Sequence, residues 1–165
     1  LFGEHSKNKK QNKNRTQFQH ITLLHLNLNV VSSTTGGCCP VGWTVFESNC
    51  YFFSGDSRSW NESRDWCETQ QAHLLILQND KEWDFVTRRS MPHFYWIGLS
   101  DWRTGRWEWV NQTPYTVERW KPGQPDNLTG HGDEDCAHLY DDGLLNDVHC
   151  SIKMQFICQK PTLNA

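Results

Sequence analysis

Residues 124–150 read QPDNLTGHGDEDCAHLYDDGLLNDVHC and carry more oxygen-bearing side chains than a solvated loop requires. The carboxylates and amides form one group before Cys136 and one before Cys150: Gln124, Asp126, Asn127, Asp133, Glu134 and Asp135, then Asp141, Asp142, Asn146 and Asp147. Hard oxygen ligands without a nearby pair of thiolates suit Ca²⁺, which takes about 6–8 oxygens, better than Zn²⁺. Their spacing is not that of a helix-loop-helix calcium loop, so they must converge from two separated segments. The alternative is an acidic, turn-rich loop exposed to solvent.

Short motifs inside and outside this stretch follow one another in a single order. Inside it stand Gln124-Pro125-Asp126, Glu134-Asp135-Cys136 and Asn146-Asp147. Outside it stand Cys39-Pro40, Trp43, Cys50-Tyr51, Trp60 with Cys67, Ala72-His73-Leu74, Trp96-Ile97-Gly98-Leu99, Trp107 with Trp109-Val110, and Phe156-Ile157-Cys158. From about residue 38 to residue 160 the chain therefore resembles a C-type lectin domain, and within that family it resembles the galactose-type members.

The resemblance implies an α+β fold with two helices, two small antiparallel sheets and a long calcium-binding loop, stapled by disulfides. Nine Trp and eight Phe in a chain that is 36% hydrophobic concentrate the core in large aromatic side chains, and small cores are commonly reinforced by disulfides. Spacing alone does not pair the seven Cys. The resemblance implies three disulfides, Cys39–Cys50, Cys67–Cys158 and Cys136–Cys150. Cys38 is then an odd thiol that either joins a partner chain or stays free.

The length suits one domain preceded by an N-terminal segment. We predict a disordered or linker segment over residues 1–37, the lectin domain over 38–160 and a tail over 161–165. The apolar run at 21–31 is too short for a membrane span and alternates like a strand, so it does not predict the coiled-coil neck usual in galactose-type members. A net charge of −3 argues against nucleic acid as a partner. Because the chain opens on Leu1, we expect a fragment or a processed product.

Local signals place two helices and several short strands. Ser59 with Glu62 has the form of a capping box, and Asn79 with Glu82 predicts the start of a second helix. Strands are predicted in a terminal hairpin near 43–53 and at 74–77, 95–99, 107–110, 136–140 and 154–159. Residues 121–135 hold two Pro and three Gly and are predicted to form a long loop, of the kind that is usually functional.

The resemblance assigns roles to the oxygen ligands. It implies a primary Ca²⁺ site formed by Gln124, Asp126, Glu134, Asn146 and Asp147, with a cis peptide at Gln124-Pro125. It also implies an auxiliary Ca²⁺ site formed by Asp101, Asn127, Glu134 and Asp135, although Gly105 stands where some relatives supply a Glu. Mannose-type members have Glu-Pro-Asn at the site. The order here, with Gln124 as donor and Asp126 as acceptor, is typical of galactose or N-acetylgalactosamine recognition.

Three departures from the galactose-type pattern affect the sugar prediction. Leu128 and Leu145 stand where Trp is usual, and the glycine-rich segment before Glu134 is shortened to residues 130–133. Leu buries area but has no aromatic face, so weaker or broader galactose binding is expected. His138 matches the family position near the acetamido group of N-acetylgalactosamine, and the alternative is a His packed on a strand. The predicted sugar-binding residues are Gln124, Asp126, Leu128, Glu134, His138, Asn146 and Asp147.

The predicted function is calcium-dependent binding of glycans with terminal galactose or N-acetylgalactosamine by an endocytic or immune receptor, and not catalysis. Adjacent cysteines and four glycosylation sequons favour an oxidising, extracellular setting. The sequons begin at Asn14, Asn61, Asn111 and Asn127. We therefore expect either the ectodomain of a type II membrane receptor or a secreted protein. The sequence leaves open a homo-oligomer, with or without an intermolecular disulfide.

Three other functions compete with this prediction. A glycosidase would use Asp126 and Glu134 as paired carboxylates, but carboxylates that chelate an ion are not free to move protons. A zinc site would combine the Cys136 thiolate with the imidazoles of His131, His138 and His149. The implied disulfide of Cys136 with Cys150 would leave no such thiolate. The closest rival is a C-type lectin-like receptor that binds a protein or another ligand without calcium, and Leu128 and Leu145 keep it open.

Overall fold

The structure is a computed structural model that describes residues 37–116, 119–128 and 132–163. The chain divides into two units, Leu1–Thr35 and Gly36–Ala165, and every described residue belongs to the second. The segment that we predict to be disordered therefore lies almost entirely outside the described residues. The domain limits at residues 38 and 160 stay predictions.

Two helices lie within the described residues, α1 over Trp60–Thr69 and α2 over Asp80–Ser90. Each begins at a predicted cap. Ser59 and Glu62 form a reciprocal capping box at α1, and the Asn79 side chain accepts from the Glu82 N–H at 3.0 Å at α2. Neither helix is long and apolar enough to cross a bilayer.

Eight strands lie within the described residues. They are β1 (Thr44–Phe46), β2 (Asn49–Phe53), β3 (His73–Leu74), β4 (Tyr95–Ser100), β5 (Glu108–Trp109), β6 (Cys136–Leu139), β7 (Leu145–Val148) and β8 (Gln155–Pro161). Antiparallel pairing joins β1, β2, β3 and β8 into one group and β4, β5, β6 and β7 into another. A short parallel pairing of β4 with β8 connects the two groups. The α+β fold implied by the resemblance is confirmed.

Two strands differ from the sequence prediction. The strand predicted at 74–77 is shorter, because only His73 and Leu74 pair with β8. The next residues are equally buried but bond individually: Leu75 N–H donates to Ile157 O at 2.9 Å, and Ile76 N–H donates to the Gln159 side chain at 2.9 Å. Strand β7, which was not predicted, pairs with β6 and carries two of the predicted ligands.

Large aromatic side chains fill the core around the fully buried strand β4. Trp60 and Trp96 are almost wholly inaccessible, and their indole N–H groups donate to the carbonyls of Ile97 and Arg58 at 2.8 and 2.9 Å. Buried indoles are therefore paired at both positions, as burial of a polar group requires.

Three disulfides tie the elements together, and they are the pairings that the resemblance implies. Cys39–Cys50 holds the N-terminal segment on β2, Cys67–Cys158 joins α1 to β8, and Cys136–Cys150 links β6 to the residues after β7. Cys38 is exposed and unpaired within the described residues.

Gly98, in the middle of β4, is expected to tolerate no side chain. An added Cβ would lie 2.8 Å from Leu74 O and 2.9 Å from Val110 Cγ2, and backbone hydrogen bonds of 2.8 Å to Leu75 and Val110 hold the strand in place. We predict that Gly98→Ala lowers the free energy of unfolding by about 1–3 kcal/mol, measured by urea denaturation. Gly55→Ala is the control, because nothing lies within 4 Å of its added Cβ. Equal stability of the two variants would contradict the prediction.

Candidate functional site

The start of the long loop at 121–135 is hydrogen-bonded to the first residue of β7. Leu145 N–H donates to Arg119 O at 2.8 Å, and Lys121 N–H donates to Leu145 O at 2.9 Å. Leu145 itself is fully buried in the core. The loop residues that follow are therefore held beside the strand that carries Asn146 and Asp147.

Asp147 fixes the part of the loop that contains the predicted ligands. Asp147 is only 1% exposed, and its two carboxylate oxygens accept hydrogen bonds from the backbone N–H groups of Asp126 at 3.2 Å and Asn127 at 2.9 Å. Charged acceptors make the stronger hydrogen bonds in proteins. The Asp147 carboxylate thus connects β7 directly to the loop.

A second pair of hydrogen bonds closes the loop on itself. Leu128 N–H donates to Glu134 Oε2 at 2.9 Å, and Glu134 N–H donates to Asn127 Oδ1 at 2.9 Å. Residues 129–131 between them lie outside the described residues, and with them the first half of the shortened segment at 130–133. The two bonds place Glu134 next to the turn that starts at Asn127.

Three carboxylates meet as a result of these contacts. Oxygen atoms of Asp126, Glu134 and Asp147 all lie within 4.8 Å of one another. In the described part of the chain this is the group of three or more acidic, His or Cys side chains with a geometry that suits a metal ion. Like charges at this separation repel one another, and a cation would remove the repulsion. The donors are all hard oxygens, so the arrangement fits Ca²⁺ better than Zn²⁺.

The two predicted amide ligands lie beside this carboxylate cluster. Gln124 Oε1 accepts from Asp126 N–H at 3.1 Å, and the Gln124–Pro125 peptide is cis, as the resemblance implies. Asn146 precedes Asp147 on β7, and its Nδ2 donates to Asp147 O at 2.7 Å. Each predicted amide ligand thus contacts one residue of the cluster, and the three carboxylates are the predicted ligands that converge.

The auxiliary set is less compact. Asp101 N–H donates to Asp135 O at 3.1 Å, and burial, together with the nearby Asp135 charge, raises the pKa of Asp101 to about 6. Asp101 Oδ1 is buried without a hydrogen-bond partner among the described residues. Asn127 Oδ1 already accepts from Glu134, and no second cluster of three carboxylates forms in the described ranges. The auxiliary site stays a prediction.

The two Leu residues that stand where Trp is usual, Leu128 and Leu145, lie in different environments. Leu128 is 55% exposed next to the carboxylate cluster, whereas Leu145 is fully buried. Only Leu128 therefore lies where a bound sugar could reach it.

His138 is packed in the protein on strand β6. The residue is 3% exposed, and its ring lies 4.8 Å from Tyr140, 5.7 Å from Phe94 and 6.2 Å from Trp96 between ring centroids. Burial lowers the pKa of the imidazole to about 4. Asn146 Nδ2 lies 3.4 Å from His138 Nε2, which makes the ring a neighbour of a predicted ligand. Its contact with the acetamido group of a sugar stays a prediction.

The zinc alternative is wrong for this chain, because Cys136 forms a disulfide with Cys150 and offers no thiolate. The three sequon residues within the described ranges, Asn61, Asn111 and Asn127, are exposed, and Asn14 lies outside those ranges.

Sequence reasoning missed two features of this region. Strand β7 went unpredicted because its sequence, Leu145-Asn146-Asp147-Val148, does not alternate between apolar and polar residues, although the burial of these residues does alternate. A groove beside Gln124 also went unpredicted, because its walls come from three separated segments.

The profile of a family described as "Lectin C-type domain" matches residues 56–160. Curated relatives include C-type lectin domain family 10 member A from Homo sapiens, 41% identical over 84% of this chain, and asialoglycoprotein receptor 1 from Mus musculus, 36% identical over 93% of this chain. The chain spans 45% and 61% of the lengths of these two relatives. The solved carbohydrate-recognition domain of the mouse scavenger receptor C-type lectin is 32% identical and superimposes with a TM-score of 0.72, over 77% of this chain and 99% of that one.

Falling pH is expected to destabilise the protein through His138. The pKa of the ring is about 4 in the folded chain against an ordinary 6.5, so between these values the unfolded chain binds a proton that the folded chain does not. The neutral, buried ring contributes on the order of 3 kcal/mol to the free energy of unfolding. This contribution is fully present above pH 6.5 and is lost as the pH falls toward 4. Urea unfolding at several pH values in EDTA measures it.

His138→Gln should lose less stability than the unaltered protein as the pH falls from 6.5 to 4. The contribution of the ring is then absent, while the opposing contribution of Asp101, whose pKa is raised to about 6, is still present in both proteins. His93→Gln is the matched control, because His93 is exposed and its replacement should leave the dependence intact. The same slope in His138→Gln and in the unaltered protein would show that another group is responsible.

Proposed function

The chain belongs to the C-type lectin family, and from that premise we propose that residues 38–160 are a calcium-dependent carbohydrate-recognition domain. The ligands are glycans ending in galactose or N-acetylgalactosamine. The observation that carries the proposal is the convergence of the Asp126, Glu134 and Asp147 carboxylates within 4.8 Å. Gln124 and Asn146 complete the oxygen set beside them.

A bound calcium ion would supply one part of sugar recognition, the coordination of sugar hydroxyls. Ca²⁺ accepts a flexible shell of oxygens, and the sites of the family hold it through carboxylate and amide side chains. Asp147 is oriented by two backbone N–H groups and Glu134 by one, so these carboxylates are positioned by the loop itself. Bound calcium would neutralise a concentration of negative charge that otherwise opposes the folded loop.

The side chains around the ion would supply the other part, hydrogen bonds to the same hydroxyls. A bound ion would offer coordination to two neighbouring hydroxyls of a sugar, and the side chains that would hold the ion would bond to the protons and lone pairs of those hydroxyls. Gln124 donates through its amide, and Asp126 accepts through its carboxylate. This order supports galactose over mannose. The exposed Leu128 offers an apolar contact without an aromatic face, which supports binding weaker or broader than that of galactose-type relatives.

The proposed setting is the extracellular side of the plasma membrane, as the ectodomain of a type II receptor, or the secreted state. Three disulfides and exposed sequon residues support an oxidising compartment. The relatives include asialoglycoprotein receptors 1 and 2 from Mus musculus. Membership of a family of lectins and receptors supports a non-enzymatic role. Whether Cys38 joins two chains of a homo-oligomer stays a prediction.

The alternative function is a receptor of the same fold that binds its ligand without calcium. Two observations favour it: Leu128 removes the stacking platform, and the Gln124 amide oxygen is already bonded to Asp126 N–H at 3.1 Å. Binding to a glycan array with and without EDTA separates the two functions, because only the proposed one is lost on chelation.

Calcium is expected to raise the melting temperature. A cation that binds only the folded chain stabilises it by about 2.7 kcal/mol when its free concentration is 100-fold above Kd. Differential scanning fluorimetry in millimolar Ca²⁺ and in EDTA measures the shift. Glu134→Gln should reduce it, whereas Asp84→Asn, which removes an exposed carboxylate on α2, should not. Identical curves for the unaltered protein in both buffers would favour the calcium-independent alternative.

Galactose is expected to be preferred over mannose on the array. Exchanging the donor and the acceptor in the double variant Gln124→Glu and Asp126→Asn should move binding toward mannose. Asp133→Asn is the control, because this exposed loop carboxylate is outside the proposed ligand set. A preference for mannose in the unaltered protein would refute the donor and acceptor assignment.

Leu128→Trp is expected to tighten binding of N-acetylgalactosamine. Stacking contacts of an aromatic ring are generally worth roughly 0.5–1.5 kcal/mol beyond area burial, and on a short loop we expect a gain near the lower end for the apolar face of the sugar. The corresponding change in affinity is roughly 2–10-fold, measured by calorimetric titration.

Leu163→Trp adds the same ring at an exposed position outside the loop and should change nothing. Because Leu128 is exposed, an unchanged affinity in Leu128→Trp would mean that the ring does not face the sugar.

A further inference from the structure

A groove of about 800 Å³ adjoins the proposed sugar site. Gln124 and Pro125 line one end of it, and its walls include Arg106, Trp107 and Trp120. The volume is within the range of about 300–1,000 Å³ that is typical of small-ligand sites. A ligand held at Gln124 could therefore continue into the groove without a gap.

Backbone hydrogen bonds fix both walls of the groove. On one side, in the turn that follows β5, Tyr115 N–H donates to Trp107 O at 3.2 Å. On the other side Trp120 forms a parallel bridge with Leu145, and Lys121 N–H donates to Leu145 O at 2.9 Å. The groove is thus part of the folded scaffold and does not need to be formed by a ligand.

The walls present aromatic rings that are only partly covered. Trp107 and Trp120 meet edge to face with ring centroids 4.7 Å apart, and Tyr115 and Trp120 meet edge to face at 5.8 Å. The rings also pack against the core, which keeps them in place. Rigid, half-exposed aromatic rings suit the apolar face of a pyranose.

Positive charge distinguishes the groove from the acidic loop. Glu108 lines it too, but its carboxylate pairs with Arg103 at 2.6 Å. Arg106 is exposed and forms no ion pair with any residue in the described ranges. Its guanidinium is therefore available to an anion, and carboxylates and sulfates match its planar donors.

We propose that this groove is a second glycan subsite, which accepts the sugar residue next to the terminal galactose and favours an acidic group on that residue. The aromatic walls hold the ring, and Arg106 binds its sulfate ester or carboxylate. This subsite rests on the proposed function, because Gln124 is shared between the two and sets where the glycan enters the groove.

Calorimetric titration in Ca²⁺ tests the subsite with four probes. They are methyl β-galactoside, N-acetyllactosamine, N-acetyllactosamine sulfated at O6 of the inner residue, and galactosyl-glucuronic acid. We expect at least one acidic disaccharide to bind about 3–10-fold tighter than neutral N-acetyllactosamine. The two acidic probes distinguish a sulfate ester from a carboxylate.

The ratio of acidic to neutral disaccharide affinity is the readout for the variants, because changes at the terminal site cancel in it. Arg106→Gln should bring the ratio to about one, and Arg106→Glu should bring it below one. Arg88→Gln is the matched control, since it removes the charge of an exposed Arg on α2, and its ratio should equal that of the unaltered protein.

Aromatic contact has an independent readout that needs no destabilising variant. The indole N–H signals of Trp107 and Trp120 should move on addition of N-acetyllactosamine and stay in place with methyl β-galactoside. A shift with neither sugar would overturn the aromatic contact.

Failure of the subsite and failure of the proposed function give different results. Binding of methyl β-galactoside with equal affinities for acidic and neutral disaccharides overturns the subsite alone. An unchanged ratio in Arg106→Gln does the same. Absence of all binding by methyl β-galactoside in Ca²⁺ overturns both proposals.

Discussion

The buried carboxylate of Asp147 is the contact on which the geometry of the loop depends. Pairing of Asp147 with Ala137 places it on β7 with the residue 1% exposed, and a charge in such a position needs hydrogen-bond partners or a counter-ion. The backbone N–H groups of Asp126 and Asn127 are those partners. One side chain therefore couples the sheet to the loop and also contributes negative charge to the carboxylate cluster.

The support beneath this contact comes from Leu145, two residues earlier on the same strand. It is fully buried and bonds through its backbone to Arg119 and Lys121, so it belongs to the scaffold under the loop. Leu128, in contrast, projects from the loop and is 55% exposed. Both residues stand where Trp is usual in the galactose-type pattern. The replacement at Leu145 alters packing, and the replacement at Leu128 alters the surface that a ligand would meet.

What the sequence predicts well depends on residues close together in the chain. The caps at Ser59 and Asn79 satisfy N–H groups three residues away, and both helices begin there. Strand β7 depends instead on a ladder with β6, which local propensity does not reveal when two of its four residues are Asn and Asp. The same distinction explains why the motif predicts a set of candidate ligand residues, whereas the convergence of three of their carboxylates and the groove became evident only from contacts between distant segments.

The hydrogen bonds and the charges of the cluster act in opposite directions. Three loop N–H groups, of Asp126, Asn127 and Leu128, donate to the Asp147 and Glu134 carboxylates and hold them close together. Mutual repulsion opposes that arrangement. Nearby, burial and then the charge of Asp135 raise the pKa of Asp101, and Asp147 of the cluster adds a smaller effect. A cation would remove the repulsion without having to build the loop, because the N–H donors already fix the positions of the carboxylates. The arrangement of Gln124 and Asp126 that a ligand would meet is likewise set by hydrogen bonds of the protein itself.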